Sequence, residues 1–123
     1  MNLVDSSAWL AYFANNINAK HFAPVIEDTE QLVVPTIILT EVFKVVLRQQ
    51  NENAALRVVA HIKQGKLIAL NEKIALNAAG YGLQYRLPLA DSIIYATAIQ
   101  YQADIWTQDK DFADLPQVHY FPI

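Results

Sequence analysis

The sequence predicts an α/β fold with a short, mostly parallel central sheet flanked by helices on both faces. Three observations predict it. Short apolar runs alternate with longer stretches whose apolar residues recur at helical spacing, the pattern of successive strand–helix units around a parallel sheet. The 123 residues are 54% hydrophobic and 17% charged, enough to bury one core and too few for two ordinary domains, so residues 1–123 are expected to form a single domain. Three glycines, five prolines and the absence of any visible repeat leave no linker to divide it.

Each element follows from local chemistry. Leu3-Val4 is a short apolar run ending at Asp5 and reads as the first strand. Trp9, Leu10 and Phe13 recur at helical spacing, which predicts a helix from Ser6 to about Ala14. After a turn-rich break at 15–18, a second helix is expected over 19–28, then a strand over 31–34 stopped by Pro35. Helices are expected over 36–50 and 51–64, with Gly65 as a helix-ending glycine. A strand at 66–70 and a helix from Asn71 to about Arg86 come next. Pro88 suits the first position of a further helix, which should run to about Gln102. A strand at 104–107, a polar turn at 108–114 and a final strand at 118–121 complete the chain.

Composition excludes several classes. There is no cysteine, hence no disulfide framework and no thiolate metal site. The start, Met-Asn-Leu-Val-Asp, lacks the basic and apolar regions of a signal peptide, and no stretch approaches the roughly 20 apolar residues of a membrane span. A cytoplasmic protein with no membrane partner is expected. No glycine-rich phosphate loop is present. The net charge of −3 is not that of a general nucleic-acid binder.

The acids carry the chemical signal. Ligands of an open parallel sheet bind beyond the carboxyl ends of its strands. Asp5 ends the first strand, Glu41 lies just inside the helix after the second, and Asp109 and Asp111 follow the fourth. Asp91 lies in the first turn of a helix expected to begin near the same rim. Each also has a plain structural reading. Asp5 can cap its helix, Asp91 suits a helix N-terminus, and Asp109 and Asp111 can form a turn. Glu41 is less easily explained, because its neighbours four residues away, Ile37 and Val45, are apolar. Together these carboxylates would repel one another unless a divalent cation held them ionised. An all-oxygen set, with Ser6, Ser7 and Thr107 nearby, suits Mg2+ or Mn2+. His21, His61 and His119 share no metal-ligand spacing and read as surface or boundary residues.

Four segments carry a family resemblance. Val4-Asp5-Ser6-Ser7-Ala8-Trp9-Leu10 resembles the opening motif of PIN domains, and Glu41 in Thr40-Glu41-Val42 resembles their second acid. Leu89-Ala90-Asp91-Ser92-Ile93-Ile94-Tyr95-Ala96-Thr97-Ala98 resembles the third motif. Thr107-Gln108-Asp109-Lys110-Asp111-Phe112 resembles the closing T-x-D-x-D-F motif. In order, spacing and length the chain is similar to the VapC-type toxin ribonucleases of type II toxin–antitoxin pairs. The resemblance implies a metal-dependent endoribonuclease. Asp5 and Asp91 would be the principal ligands of Mg2+ or Mn2+, with Glu41 and Asp109 completing the catalytic pocket. Ser6, Ser7, Thr107 and Asp111 would support it. It also implies an RNA substrate, a homodimer and a cognate antitoxin.

With the four principal acids neutralised by metal, the rest of the surface is close to neutral and open to phosphate. Lys44 and Arg48, one and two turns beyond Glu41, and Lys110 within the last motif are the candidate RNA contacts. The apolar helices over 36–50 and 51–64 are candidates for the dimer contact, or else fill the chain's own core. Rival readings are a non-catalytic PIN-like scaffold, a phosphatase of the haloacid dehalogenase kind, and a receiver-type phosphoacceptor. The phosphatase needs an aspartate where Ser7 stands, and the receiver needs an acidic pair near the first strand and a late lysine. The scaffold typically lacks an acid that this chain keeps.

Overall fold

The computed structural model describes residues 1–123. Five strands, β1 (Asn2–Val4), β2 (Val33–Pro35), β3 (Lys66–Ile68), β4 (Asp104–Thr107) and β5 (Val118–Tyr120), alternate with six helices. These are α1 (Ser6–Phe13), α2 (Ala19–Glu27), α3 (Thr36–Gln49), α4 (Glu52–Ile62), α5 (Glu72–Tyr85) and α6 (Leu89–Gln100). Single 3-10 turns occupy Thr29–Gln31 and Lys110–Phe112.

Every strand pair is parallel. β4 lies between β1 and β5, β2 pairs with β3, and a single bridge from Asn2 to Leu32 joins the two pieces. The strand order is therefore β3-β2-β1-β4-β5. From β1 the chain first builds outward through β2 and β3, then returns to lay β4 on the other side. This reversal between β1 and β4 opens a crevice at their carboxyl ends, where doubly wound sheets bind ligands. Leu3 and Val4 point to opposite faces of the central strand and both are buried, so helices cover the sheet on both sides. The edge strands are more open: Lys66 and Leu67 of β3 and His119 of β5 are exposed.

Side-chain caps start three helices. Asp5, Asn51 and Asn71 accept from the backbone N–H of Ala8, Ala54 and Ile74 at 3.2, 2.8 and 2.9 Å. Helices α3 and α6 follow Pro35 and Pro88 with no side-chain cap.

Two prolines and one glycine act differently from what their local sequence predicts. Pro35 does not lie beyond β2 but is its last residue, paired with Ile68, and α3 starts at the next residue. Pro88 precedes α6 rather than opening it. No glycine has a positive φ, so Gly65 is not a left-handed helix cap. A Cβ there would stand 3.0 Å from Val34 Cγ2 and 3.1 Å from Leu32 Cδ2, so close packing on β2 is what requires the small residue. The left-handed helix end is instead at Arg86, φ 56°, after α5.

Candidate active site

Asp5 stands at the junction of β1 and α1, 2% exposed. Its N–H extends the ladder to Trp106 O at 3.2 Å, which holds it opposite the end of β4. Its Oδ1 accepts from Ser7 Oγ at 2.8 Å as well as from the Ala8 N–H. Burial raises the Asp5 carboxyl to about 7, the hydrogen bonds from Ser7, Ala8 and Thr107 oppose that rise, and the charge of Asp109 adds to it. Asp5 is thus both the cap of α1 and a buried carboxyl facing other acids.

The β4 end is tied to the same spot. Ser7 Oγ accepts from the Gln108 N–H at 3.1 Å and lies 3.4 Å from Thr107 Oγ1. Thr107 Oγ1 in turn accepts from the Asp109 N–H at 2.8 Å. Asp109 Oδ1 caps the 3-10 turn by accepting from the Asp111 N–H at 2.9 Å. The T-x-D-x-D segment is therefore a folded turn with two carboxylates on one side, anchored by the buried Phe112.

Two helices bring the remaining acids. Glu41, half-buried on α3, accepts from Ser6 Oγ at 3.0 Å. Burial raises its carboxyl, Ser6 lowers it, and Asp109 raises it. The stripe that Glu41 interrupts, Ile37 and Val45, is half-buried; the core stripe of α3 is Ile38, Val42 and Val46. Asp91, half-buried in the first turn of α6, is raised to about 7 by burial and then by the charges of Asp109, Asp5, Glu41 and Asp111. Five carboxylates from four separate parts of the chain act on one another, and Asp109 raises the carboxyls of Asp5, Glu41 and Asp91 alike. The tightest group is Asp91, Asp109 and Asp111, whose carboxylate oxygens all lie within 4.8 Å of one another.

No basic side chain enters this cluster, and the only ion pair in the structure is His119–Asp104 at the other end of the sheet. Three carboxylate oxygens at this spacing, with two more acids nearby and no nitrogen or sulfur ligand, fit a hard divalent cation. Two open clefts of about 370 and 480 Å³ are both lined by Ser7 and Gln108. Lys110 and Asp109 also line the second.

The expected RNA contacts are less concentrated. Lys44, Arg48 and Lys110 are all exposed, but only Lys110 borders a cleft that also contains an acid of the cluster. Lys44 borders an apolar groove with Leu39, Phe43, Leu47 and Val59. The histidines lie away from the acids. His61 packs among Trp9, Tyr12 and Phe13, and His21 stacks on Phe121.

The sequence model of the PIN domain family matches residues 3–118. The chain belongs to the PIN domain family. Solved structures agree over its whole length. A chain of a toxin–antitoxin complex from Klebsiella pneumoniae superposes with a TM-score of 0.85 and 25% identity, covering 100% of both chains. VapC20 of Mycobacterium tuberculosis, described as a sarcin–ricin loop cleaving toxin, gives 0.80 and 16%, covering 99% of this chain and 100% of that one. FitAcB from Neisseria gonorrhoeae gives 0.74 and 18%, covering 99% and 98%. No curated protein sequence matches the chain. The fold is thus that of PIN domains found in VapC toxin–antitoxin proteins, with the acids of this chain at the β1–β4 crevice of that fold. No helix is long and apolar enough to cross a membrane.

Proposed function

We propose that the protein is a Mg2+- or Mn2+-dependent endoribonuclease, the toxin of a type II toxin–antitoxin pair, with residues 1–123 acting as one PIN domain in the cytoplasm. The observation that carries this reading is the carboxylate cluster at the β1–β4 crevice, where burial and then the neighbouring acids raise Asp5 and Asp91 to about 7 and no protein cation pairs with them. Such crowding is unfavourable unless a metal ion completes it.

Asp91, Asp109 and Asp111 would hold the ion most directly, with Asp5 and Glu41 as further ligands or as holders of its water. When bound, a divalent ion supplies Lewis acidity toward phosphate oxygens and a water of lowered pKa. The chain's own residues supply position. Ser7 and the Ala8 N–H orient Asp5, Ser6 orients Glu41, and Thr107 sets the turn that carries Asp109. Lys110 would meet a substrate phosphate in the adjoining cleft, while Lys44 and Arg48 would contact RNA further out.

Apolar surface remains for two protein contacts, a second copy of the chain and an antitoxin segment. Helices α3 and α4 leave Leu47 and Leu56 exposed beside the groove of Leu39, Phe43 and Val59. Helices α5 and α6 leave Leu83 and Leu89 87% and 77% exposed beside an apolar cleft. An antitoxin cation entering the acid cluster would compete with metal.

The test is cleavage of a structured RNA by the purified protein with Mg2+ or Mn2+. Asp91→Asn should abolish cleavage while circular dichroism shows the fold intact. Equal cleavage by both proteins would assign the activity to a contaminant. Metal binding without cleavage of any RNA would favour the non-catalytic scaffold.

A further inference from the structure

The turn between α1 and α2 contains a buried polar residue that its own helix does not use. Asn18 stands at the start of α2, where an asparagine side chain ordinarily caps the first turn, yet it makes no cap bond. It is 6% exposed, and its Nδ2 points across to the far end of the chain. There it donates to Gln108 Oε1 at 2.8 Å and to the carbonyl oxygens of Phe121 and Pro122, both at 3.1 Å. Gln108 is itself buried and lies between Thr107 and Asp109. Its N–H reaches Ser7 Oγ at 3.1 Å, and Ser7 reaches Asp5 Oδ1 at 2.8 Å.

These bonds form a continuous chain: the 121–122 carbonyls, Asn18, the Gln108 side chain, the Gln108 backbone, Ser7 and Asp5. Helix α2 forgoes a cap that commonly stabilises a helix start, and the amide instead ties the Gln108 side chain to the 121–122 carbonyls, while the Gln108 N–H joins the loop carrying Asp109 to Ser7 and Asp5. A buried amide with two donors and three acceptors around it is held in one orientation. The peptide 107–109 is held with it.

We propose that Asn18 is a positioning residue for the acid cluster, acting through Gln108 to set the separation of Asp5 and Asp109 and so the affinity for a divalent cation. This rests on the reading of those acids as a metal site. Neither residue is one of the proposed ligands. Partners that orient metal ligands typically change metal affinity by about 10- to 100-fold when lost.

The experiment titrates Mn2+ alone into the purified full chain by calorimetry, for wild type, Asn18→Ala, Gln108→Ala and the double variant, with thermal unfolding as a fold check. Both single variants should weaken Mn2+ binding by about tenfold, and excess Mn2+ should restore RNA cleavage. The double variant should bind no more weakly than the worse single one, because both break the same chain of bonds. Asn51→Ala, which removes the α4 cap far from the acids, should lower the melting temperature and leave Mn2+ affinity unchanged. If Asn18→Ala does not fold, Gln108→Ala decides the matter. Wild-type binding matched by the folded variants would overturn this inference and leave the metal site standing. No Mn2+ binding by the wild type would remove the metal site and the inference together.

Discussion

The two ends of β4 each carry an aspartate, and the chain treats them in opposite ways. Asp104, at the start of the strand, is exposed and lies 2.9 Å from His119 Nε2 on the neighbouring strand. His119 stacks on Trp106 with ring centroids 4.1 Å apart, and Trp106 donates to Asn2 Oδ1 at 2.9 Å. That end pairs its own polar side chains. Asp109, just beyond the other end, faces Asp91 and Asp111 and acts on Asp5 and Glu41 with no cation among them. One strand therefore joins a hydrogen-bonded surface pair to an acid cluster with no basic partner. Stability explains the first arrangement and not the second, and the second is where the proposed cation would bind.

The comparison breaks most visibly in activity. Asp109→Asn should lower metal-dependent RNA cleavage by more than about a hundredfold, and Asp104→Asn should leave it within about twofold, measured as initial rates on the same RNA. Similar losses at both positions would erase the distinction between the two ends.

Metal-linked stability comes next. Mn2+ at about a hundred times its dissociation constant should stabilise the fold by about 2.7 kcal/mol, visible as a rise of several degrees in melting temperature. The rise should vanish in Asp91→Asn and persist in Asp104→Asn. A rise unaffected by Asp91→Asn would place the ion elsewhere.

The pH dependence sharpens the contrast further. Asp5 and Asp91 are raised from about 3.8 in the unfolded chain to about 7 in the fold. Between those values the folded state binds more protons than the unfolded one, so metal-free stability falls as pH rises from about 4 to about 7. Saturating Mn2+ should flatten that slope, and Asp91→Asn should reduce it and stabilise the metal-free protein at pH 8. Denaturant midpoints across this range would show it; a metal-free stability that rises through the window contradicts the raised Asp5 and Asp91 carboxyls.

The smallest effect belongs to the surface pair. Removing His119 or Asp104 should cost at most about 1 kcal/mol, and added salt should shrink the cost, as equilibrium unfolding at two ionic strengths would show.

Much of this protein was legible along the chain. Helical spacing of Trp9, Leu10 and Phe13 marks α1, and the acids at Asp5, Asp91 and Asp109 follow strands or open helices in the order the PIN motifs require. Asp111 read as a helper, yet its carboxylate joins Asp91 and Asp109 in the tightest group, because a 3-10 turn folds it back beside its neighbour. Asn18 and Gln108 carried no signal at all. A polar residue in a turn-rich break looks like any solvated turn until the fold buries it. Gly65 read as a helix end and proved to be a packing contact with β2.

The amino-acid order by itself determined the alternation of strands and helices and the placing of acids at strand ends, because side-chain periodicity, caps and turn residues act over a few neighbouring positions. The tertiary structure alone decided which carboxylates come closest, and that Asn18 reaches residues about ninety to a hundred positions away. Those distances depend on the reversal of strand order between β1 and β4 and on which polar groups the core encloses. No local pattern encodes either one.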